Sequence, residues 1–178
     1  GQDAINNVMP TVAEIESDIA LLADKTRSIR TYSSLRSLSS IPALASKYDM
    51  DVTLGIWLGT DATANQQEID AAVALASAHA NITDVMVGNE TFLRGEFSVA
   101  ELAVLLDRVR AQVSQPVSTA EPWHVWVRYP ELAEHVDFIS VHMLPYWEGI
   151  SVDYAVDYIV EKMDELKTLF PDKEIRIG

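Results

Sequence analysis

The chain has 178 residues, of which 48% are hydrophobic and none is cysteine, and its formal net charge is −14. This length predicts one domain with a sizeable core, and the lack of cysteine excludes disulfide bonds and thiolate metal sites. The acidic balance argues against nucleic acid or an anionic membrane as a partner, because both need basic faces, but it is compatible with a neutral polysaccharide. No apolar run approaches the roughly 20 residues that span a bilayer, and residues 1–4 lack the features of a signal peptide.

The first half of the chain alternates between amphipathic helices and apolar strands. Thr11 and Glu14 have the spacing of a capping box at the start of a helix. Asn65 with Glu68 is interpreted as the cap of a later helix. In chain order, the pattern predicts a helix over 11–24, a strand over 28–33, a short helix over 39–45, a strand over 52–59 and a helix over 65–80.

The second half continues this alternation. It begins with a short apolar strand over 85–88, and a second capping box comes next at Ser98 and Glu101. The remaining pattern predicts a helix from 98 to 109, a strand over 116–120, a helix over 124–135, a strand over 138–143, a helix over 151–170 and a strand over 174–178.

Strict alternation of helices with strands too apolar to be half-exposed indicates parallel βαβ units. Six such units could form a doubly wound sheet or most of a barrel, but no glycine-rich phosphate-binding turn of a nucleotide-binding sheet occurs. Most strands end instead in a polar or aromatic residue, as expected at the mouth of a barrel. The predicted fold class is therefore α/β, a (β/α)8 TIM barrel. Residues 1–178, a single partial domain, would supply about six of its eight units, because a complete barrel needs roughly 250 residues.

The strand over 85–88 ends at Asn89 and Glu90, and this is the first candidate site. Residues just past the carboxyl end of a parallel strand face the crevice where ligands bind. Glycoside hydrolysis needs two carboxyl groups that flank one bond, and Glu90 is a candidate for one of them. Asn89 could hold a sugar hydroxyl beside it. The alternative is that Glu90 is a solvated residue at the start of a loop.

Aromatic and acidic residues near other strand ends are candidate sugar ligands, because aromatic faces cover the C–H side of a sugar ring and carboxylates bind its hydroxyls. The aromatic candidates are Trp57, Trp123, Trp126, Tyr146 and Trp147, and the acidic ones are Glu121 and Glu148. Each aromatic residue could equally be packed in the core, and each glutamate could cap a helix.

Other polar residues have simpler interpretations. The four histidines lack metal-ligand spacing, so neither a metal nor a cofactor is predicted. Lys162, with its acidic neighbours and Lys167 on the long C-terminal helix, is interpreted as part of a solvated face. The glycosylation sequon Asn89-Glu90-Thr91 coincides with the candidate site and is regarded as chance.

Four segments together resemble glycoside hydrolase family 17, and in particular its short bacterial branch of β-1,3-glucan hydrolases and transglycosylases. The resemblance covers nearly the whole chain, and the four segments in this order are more specific than Asn-Glu after a strand. They are Ile29-Arg30-Thr31-Tyr32-Ser33, Val87-Gly88-Asn89-Glu90, Ser118-Thr119-Ala120-Glu121-Pro122-Trp123-His124-Val125-Trp126 and Ser140-Val141-His142-Met143-Leu144-Pro145-Tyr146-Trp147-Glu148-Gly149.

The resemblance implies a (β/α)8 barrel that acts on β-glucan oligosaccharides or polysaccharides by a retaining mechanism. Glu90 would be the general acid/base, with Asn89 beside it on the sugar. Arg30 and Tyr32 would orient the nucleophile, and His142, Tyr146 and Trp147 would line the cleft. The resemblance also implies a secreted, periplasmic or cell-envelope location.

The family's nucleophile is a second glutamate, in a Gly-Glu-Thr-Gly-Trp-Pro type of segment, and Glu174–Gly178 matches the approach to it. The expectation is that the nucleophile lies just after Gly178 and that a further strand precedes Gly1. Either the sequence is a fragment or a second copy or another chain completes the barrel. The isolated piece is then expected to aggregate or pair and to have little activity. The alternative function is a non-catalytic glucan-binding or structural piece of such a barrel.

Overall fold

A computed structural model of the chain describes residues 8–178, so the expectation for residues 1–4 lies outside the described part. The chain divides into two units, which are described separately. The first unit extends to Met86 and includes Gln112–Gln115, and the second comprises Val87–Ala111 and Pro116–Gly178. Among residues 8–178, no helix combines the length and the apolar character needed to cross a bilayer.

The first unit has the βαβ pattern that the sequence predicts. Its strands β1 and β2 are parallel, with Ser28 opposite Asp51 and Arg30 opposite Thr53. The buried side chains of Ile15 and Ile19 lie on the first helix, whose predicted capping box is present. The elements are α1 (Val12–Leu22), β1 (Ser28–Arg30), α2 (Ile41–Ser46), β2 (Asp51–Ile56), α3 (Ala62–Ala78) and the start of β3 (Ile82–Asn89).

Strand β1 is shorter than predicted, and the residues directly after it approach the backbone of β2 closely. A Cβ atom on Gly55 would lie 2.2 Å from the Thr31 carbonyl oxygen and 2.6 Å from the Tyr32 Cα atom. Only glycine leaves room for this contact. The Gly55 amide donates instead to the Thr31 hydroxyl at 2.9 Å, so a side chain replaces the next regular ladder bond.

The predicted cap of α3 is wrong. The N-cap is Asp61, whose carboxylate accepts hydrogen bonds from the Thr63 and Ala64 amides at 2.8 and 3.1 Å. Asn65 and Glu68 lie inside the helix and are buried. Their side chains hold the segments that come after β2 and β1, because Asn65 bonds both backbone groups of Gly59 and Glu68 accepts from the Ser33 hydroxyl and the Ser34 amide.

The second unit contains the end of β3 and three further strands. Strand β5 is parallel to β4 on one side and to β6 on the other, with Ser140 opposite both Ala120 and Arg176. The predicted capping box of Ser98 and Glu101 is present. The elements after β3 are α4 (Val99–Arg110), β4 (Val117–Pro122), α5 (Trp123–Arg128), β5 (Ile139–His142), α6 (Ala155–Leu169) and β6 (Ile175–Ile177).

The helix predicted over 124–135 is divided in two. Helix α5 ends at Arg128, and a 3-10 helix occupies Pro130–His135. Pro130 has no amide hydrogen to continue the helix, and it disfavours the helical conformation at the preceding Tyr129, which has φ −131° and ψ 65°. The fully buried Trp126 on α5 is a core residue, and its indole donates to the Ser140 carbonyl at 3.2 Å.

Candidate active site

Glu90 directly follows β3 in a backbone conformation that is uncommon for a residue with a side chain. Its φ is +55°, and that of Gly88 is +80°. The left-handed region costs a residue with a Cβ about 1 kcal/mol or more. The Glu90 amide donates to the Ala120 carbonyl of β4 at 2.7 Å, so the ladder holds this conformation.

The carboxyl group of Glu90 contacts His142 at the end of β5. The Glu90 Oε1 atom lies 2.6 Å from His142 Nδ1, and the two side chains are 26% and 11% exposed. A hydrogen bond of this length orients the carboxyl group, and it becomes an ion pair only when the imidazole is protonated. The pair is therefore sheltered from bulk water and still reachable by a ligand.

Both residues line a cavity of about 360 Å³ in the second unit. Its wall combines carboxyl groups, imidazoles and apolar surface, which is the usual composition of a small-ligand site. Sequence reasoning assigned no role to four of the lining residues. The lining comprises Glu90, Leu93, Pro122, His124, His142, Leu144, Trp147 and Glu148. Three of these four, Pro122, His124 and Leu144, lie within the segments that carry the family resemblance, which is the signal that could have identified them.

Glu148, another residue of the cavity wall, accepts hydrogen bonds from two aromatic side chains. The Trp123 indole donates to its two carboxylate oxygens at 3.0 and 3.1 Å, and the Tyr158 hydroxyl donates to Oε2 at 2.5 Å. Burial and the interaction with Glu148 raise the pKa of Tyr158 to about 12. The polar group of Trp123 is therefore bonded to Glu148, and the role of its ring as a sugar ligand stays a prediction.

Lys162 is not simply part of a solvated helix face, as the sequence predicted. Its side chain is only 15% exposed, and its ammonium group lies 4.5 Å from the centroid of the Trp123 ring. It also pairs with Glu161 and Glu165 on its own helix at 3.1 and 3.2 Å. The lysine thus covers one face of Trp123 by a cation–π contact.

Tyr146 and Trp147 are the most accessible aromatic residues near the cavity, with exposed fractions of 81% and 77%. Their ring centroids are 5.3 Å apart at an angle of 76°.

The carbonyl oxygen of Asn89, the residue before Glu90, accepts a hydrogen bond from the Arg94 guanidinium, which also pairs with Glu96 at 2.5 Å.

Glu121 does not line this cavity, contrary to its predicted role as a sugar ligand. Its side chain is fully buried, and it accepts hydrogen bonds from the Phe92 amide at 2.8 Å, the Leu93 amide at 3.3 Å and the Thr91 hydroxyl at 3.3 Å. Burial raises the pKa of Glu121 to about 7; the three hydrogen bonds oppose this, and the charge of Glu90 adds to it.

The remaining predicted site residues belong to the first unit. The Arg30 guanidinium lies 5.0 Å from the centroid of the Tyr32 ring, and Tyr32 and Trp57 are both exposed. Their predicted roles toward a ligand stay predictions.

Curated relatives of the chain are fungal proteins named as glucanases or glucosidases. The chain is 28% identical to a probable glucan endo-1,3-β-glucosidase, btgC, of Aspergillus clavatus, over 82% of this chain and 23% of that protein. It is 23% identical to a probable β-glucosidase, btgE, of Neosartorya fischeri, over 92% of this chain and 31% of that protein. The chain thus spans about a quarter to a third of the length of these relatives.

Solved structures with a similar fold include an active-site mutant of the β-1,3-glucanosyltransferase of Rhizomucor miehei in complex with laminaritriose. It matches with a TM-score of 0.86 and 24% identity, over 99% of this chain and 67% of that one. A β-glucuronidase of Bacteroides uniformis matches with a TM-score of 0.68 and 16% identity, over 93% of this chain and 22% of that one. These matches show the fold alone, a parallel α/β arrangement consistent with part of a TIM-like barrel.

One family model covers almost the entire sequence. It is that of the BtgE/BtgC glycoside hydrolase domain, and it matches residues 3–178. The chain therefore belongs to the BtgE/BtgC glycoside hydrolase domain family.

Proposed function

We propose that this domain carries the general acid/base of a retaining glycoside hydrolase or glucanosyltransferase that acts on β-1,3-glucan, and that this residue is Glu90. The observation that carries the proposal is the Glu90–His142 pair, which is 2.6 Å apart, partly exposed and part of the cavity wall. The family and the names of the relatives support glycosidase chemistry.

In the proposed first step, the carboxylic proton of Glu90 moves to the bridging oxygen while the bond from that oxygen to the anomeric carbon breaks. A nucleophilic carboxylate forms the new bond to the anomeric carbon. In the second step, the oxygen of water in hydrolysis, or of a sugar hydroxyl in transfer, bonds to the anomeric carbon and gives its proton to the Glu90 carboxylate, while the bond from that carbon to the nucleophilic carboxylate breaks. His142 orients the carboxyl group through both steps.

The second carboxylate that this chemistry needs is neither Glu121 nor Glu148. Glu121 is fully buried against backbone amides, and both oxygens of Glu148 are hydrogen-bonded by Trp123 and Tyr158. We propose no nucleophile among the described residues. In glycoside hydrolase family 17, which the sequence resembles, the nucleophile comes after the strand that matches residues 174–178.

The proposed substrate is a β-1,3-linked glucose chain. Exposed Tyr146 and Trp147 offer apolar faces to sugar rings, the Asn89 amide directly precedes Glu90, and the Glu148 carboxylate on the cavity wall has acceptor capacity left beside its three donors. The similar glucanosyltransferase of Rhizomucor miehei was solved with laminaritriose, a ligand consistent with this class.

The test is the substitution Glu90→Gln in the intact protein, assayed on laminari-oligosaccharides. Turnover is expected to fall by about 10²–10⁴-fold, the usual contribution of a general acid, while oligosaccharide affinity changes little. Glu161→Gln, an exposed carboxylate on α6, is the matched control and is expected to keep full turnover. Unchanged turnover in Glu90→Gln would refute the acid/base assignment.

The exposed pair Tyr146 and Trp147 favours one alternative function, a non-catalytic glucan-binding domain. This alternative predicts that the intact protein binds laminari-oligosaccharides without cleaving or transferring them. It also predicts that Trp147→Ala abolishes binding, whereas Glu90→Gln, in the same cavity, affects binding alone because this function has no turnover to lose. The same assays therefore separate the two functions.

A further inference from the structure

The loop directly after Glu90 is anchored by a glutamate from the neighbouring strand. Glu121, on β4, accepts hydrogen bonds from the Thr91 hydroxyl and from the Phe92 and Leu93 amides, which are three consecutive residues directly after Glu90. The Glu90 amide itself is bonded to Ala120, the residue before Glu121. Two adjacent residues of β4 therefore hold Glu90 and the loop after it.

Glu90 needs such an anchor because its backbone is in the left-handed region, with φ +55°. A residue with a side chain stays in this conformation only where the surrounding structure enforces it. Without the contacts to residues 91–93, relaxation of φ would swing the Glu90 carboxyl group away from His142. A displacement of about 1 Å at a reacting group can cost 10²-fold in rate.

We infer that Glu121 is a positioning residue for Glu90: its buried carboxyl group fixes the loop over 91–93 and thereby aims the acid/base. This inference rests on the proposed function of Glu90. Glu121 itself does not contact the ligand, because its side chain has no exposed surface and does not line the cavity. Its two oxygens face three donors, so it acts through the backbone.

The test is Glu121→Gln in the intact protein, because the amide nitrogen cannot accept a hydrogen bond as a carboxyl oxygen can. The substrates are two aryl β-laminaribiosides, one that releases phenol and one that releases 2,4-dinitrophenol. Phenol needs a proton from the acid, whereas dinitrophenolate leaves without one. We expect kcat/KM to fall about tenfold or more for the phenyl substrate and less than about twofold for the dinitrophenyl substrate.

Asp137→Asn is the matched control. Its carboxylate accepts from the Val117 amide at 2.8 Å, so it anchors backbone at the other end of β4, and it also pairs with Arg110 at 2.7 Å. We expect Asp137→Asn to change kcat/KM for the two substrates by the same factor. An equal loss for both substrates in Glu121→Gln would refute the positioning role, because a purely structural defect does not depend on the leaving group.

Glu90→Gln in the same assay separates this inference from the proposed function. If Glu90→Gln shows no dependence on the leaving group, both fail. If Glu90→Gln shows it and Glu121→Gln does not, only the positioning role fails.

Thr91→Val provides a second route if Glu121→Gln does not fold. It removes one donor, and we expect a loss of about threefold for the phenyl substrate only. Thr91→Ser, which keeps the hydroxyl, is expected to restore the rate. Equal rates in the valine and serine variants would overturn the positioning role.

Discussion

The ends of strands β3 and β4 each present a glutamate, Glu90 and Glu121, and the two have opposite environments. Glu90 is 26% exposed, has φ +55° and lines a cavity beside His142. Glu121 has no exposed surface, and its oxygens face three donors of the chain. A position at the end of a strand therefore does not by itself fix the role of a carboxyl group. The hydrogen-bond donors around it determine whether it faces a cavity, as Glu90 does, or holds a loop, as Glu121 does.

A third carboxylate shows why Glu121 has a raised pKa. The Asp137 side chain is 37% exposed, and what burial it has would raise its pKa, but hydrogen bonds from the Arg110 guanidinium and the Val117 amide, with the charges of Arg110 and Lys173, lower the pKa below its ordinary value. No cation is among the groups that shift Glu121, so burial prevails there. The two groups therefore differ both in burial, which is complete only for Glu121, and in the nearby cations, which act only on Asp137.

The largest expected effect is a difference in protein stability between alanine substitutions at the two glutamates. Glu121→Ala leaves two backbone amides and a hydroxyl without their acceptor, so we expect the free energy of unfolding to fall by about 3–5 kcal/mol. For Glu90→Ala we expect a change of about 1 kcal/mol or less, because only a partly exposed pair is lost. Urea denaturation of the intact protein measures both. Similar losses in the two variants would mean that the two environments do not differ in this way.

The next effect is a pH dependence that belongs to Glu121. Its folded pKa, about 7, lies above the ordinary value of 4.5. The stabilisation from protonated Glu121 is therefore complete below pH 4.5 and is lost as pH rises through 7, by up to roughly 3 kcal/mol. Glu121→Gln cannot titrate and should flatten this part of the curve. Measuring the free energy of unfolding from pH 4 to 8 tests whether stability falls as pH rises. If Glu121→Gln shows the same pH dependence as the unsubstituted protein, another group is responsible for that dependence.

A smaller effect tests the backbone at each glutamate. At Glu90, with its positive φ, glycine should be more stable than alanine by about 1 kcal/mol. At Glu121, inside β4, glycine should be less stable than alanine by roughly 0.5–1 kcal/mol. Thermal unfolding of the four variants gives the two differences. If glycine were more stable than alanine at both positions, or less stable at both, the two backbones would not differ in conformation as described.

The smallest expected effect concerns Glu148, which shares features of both glutamates because it lines the cavity and is held by donors. Tyr158→Phe removes one of these donors, and we expect stability to fall by about 1 kcal/mol or less. The KM for laminari-oligosaccharides should rise a few-fold, because Glu148 loses its fixed orientation. Lys162→Met, which removes the cation over Trp123 and its pairs with Glu161 and Glu165 but leaves the donors to Glu148 in place, is the comparison variant. An unchanged KM in Tyr158→Phe would limit Glu148 to a structural role.

Short stretches of the sequence were enough to predict the local features of this protein. The capping boxes at Thr11 and Ser98 were predictable because each depends on residues three positions apart. The alternation of helix and strand was predictable from hydrophobic periodicity, and Glu90 was identified as a candidate because an apolar strand stops beside it. Its catalytic role stays a proposal.

Which partners meet depends on the tertiary structure. Glu90 contacts His142, which is 52 positions away in the chain, and Glu121 accepts from residues 28–30 positions away. Likewise, the spacing of Glu68 from Asn65 predicted a cap residue, but Glu68 lies inside α3 and accepts from the Ser34 amide, 34 positions distant. The sequence around a carboxyl group does not show which hydrogen-bond donors it will meet in the folded protein. Its burial, pKa and role depend on backbone groups that only folding brings to it.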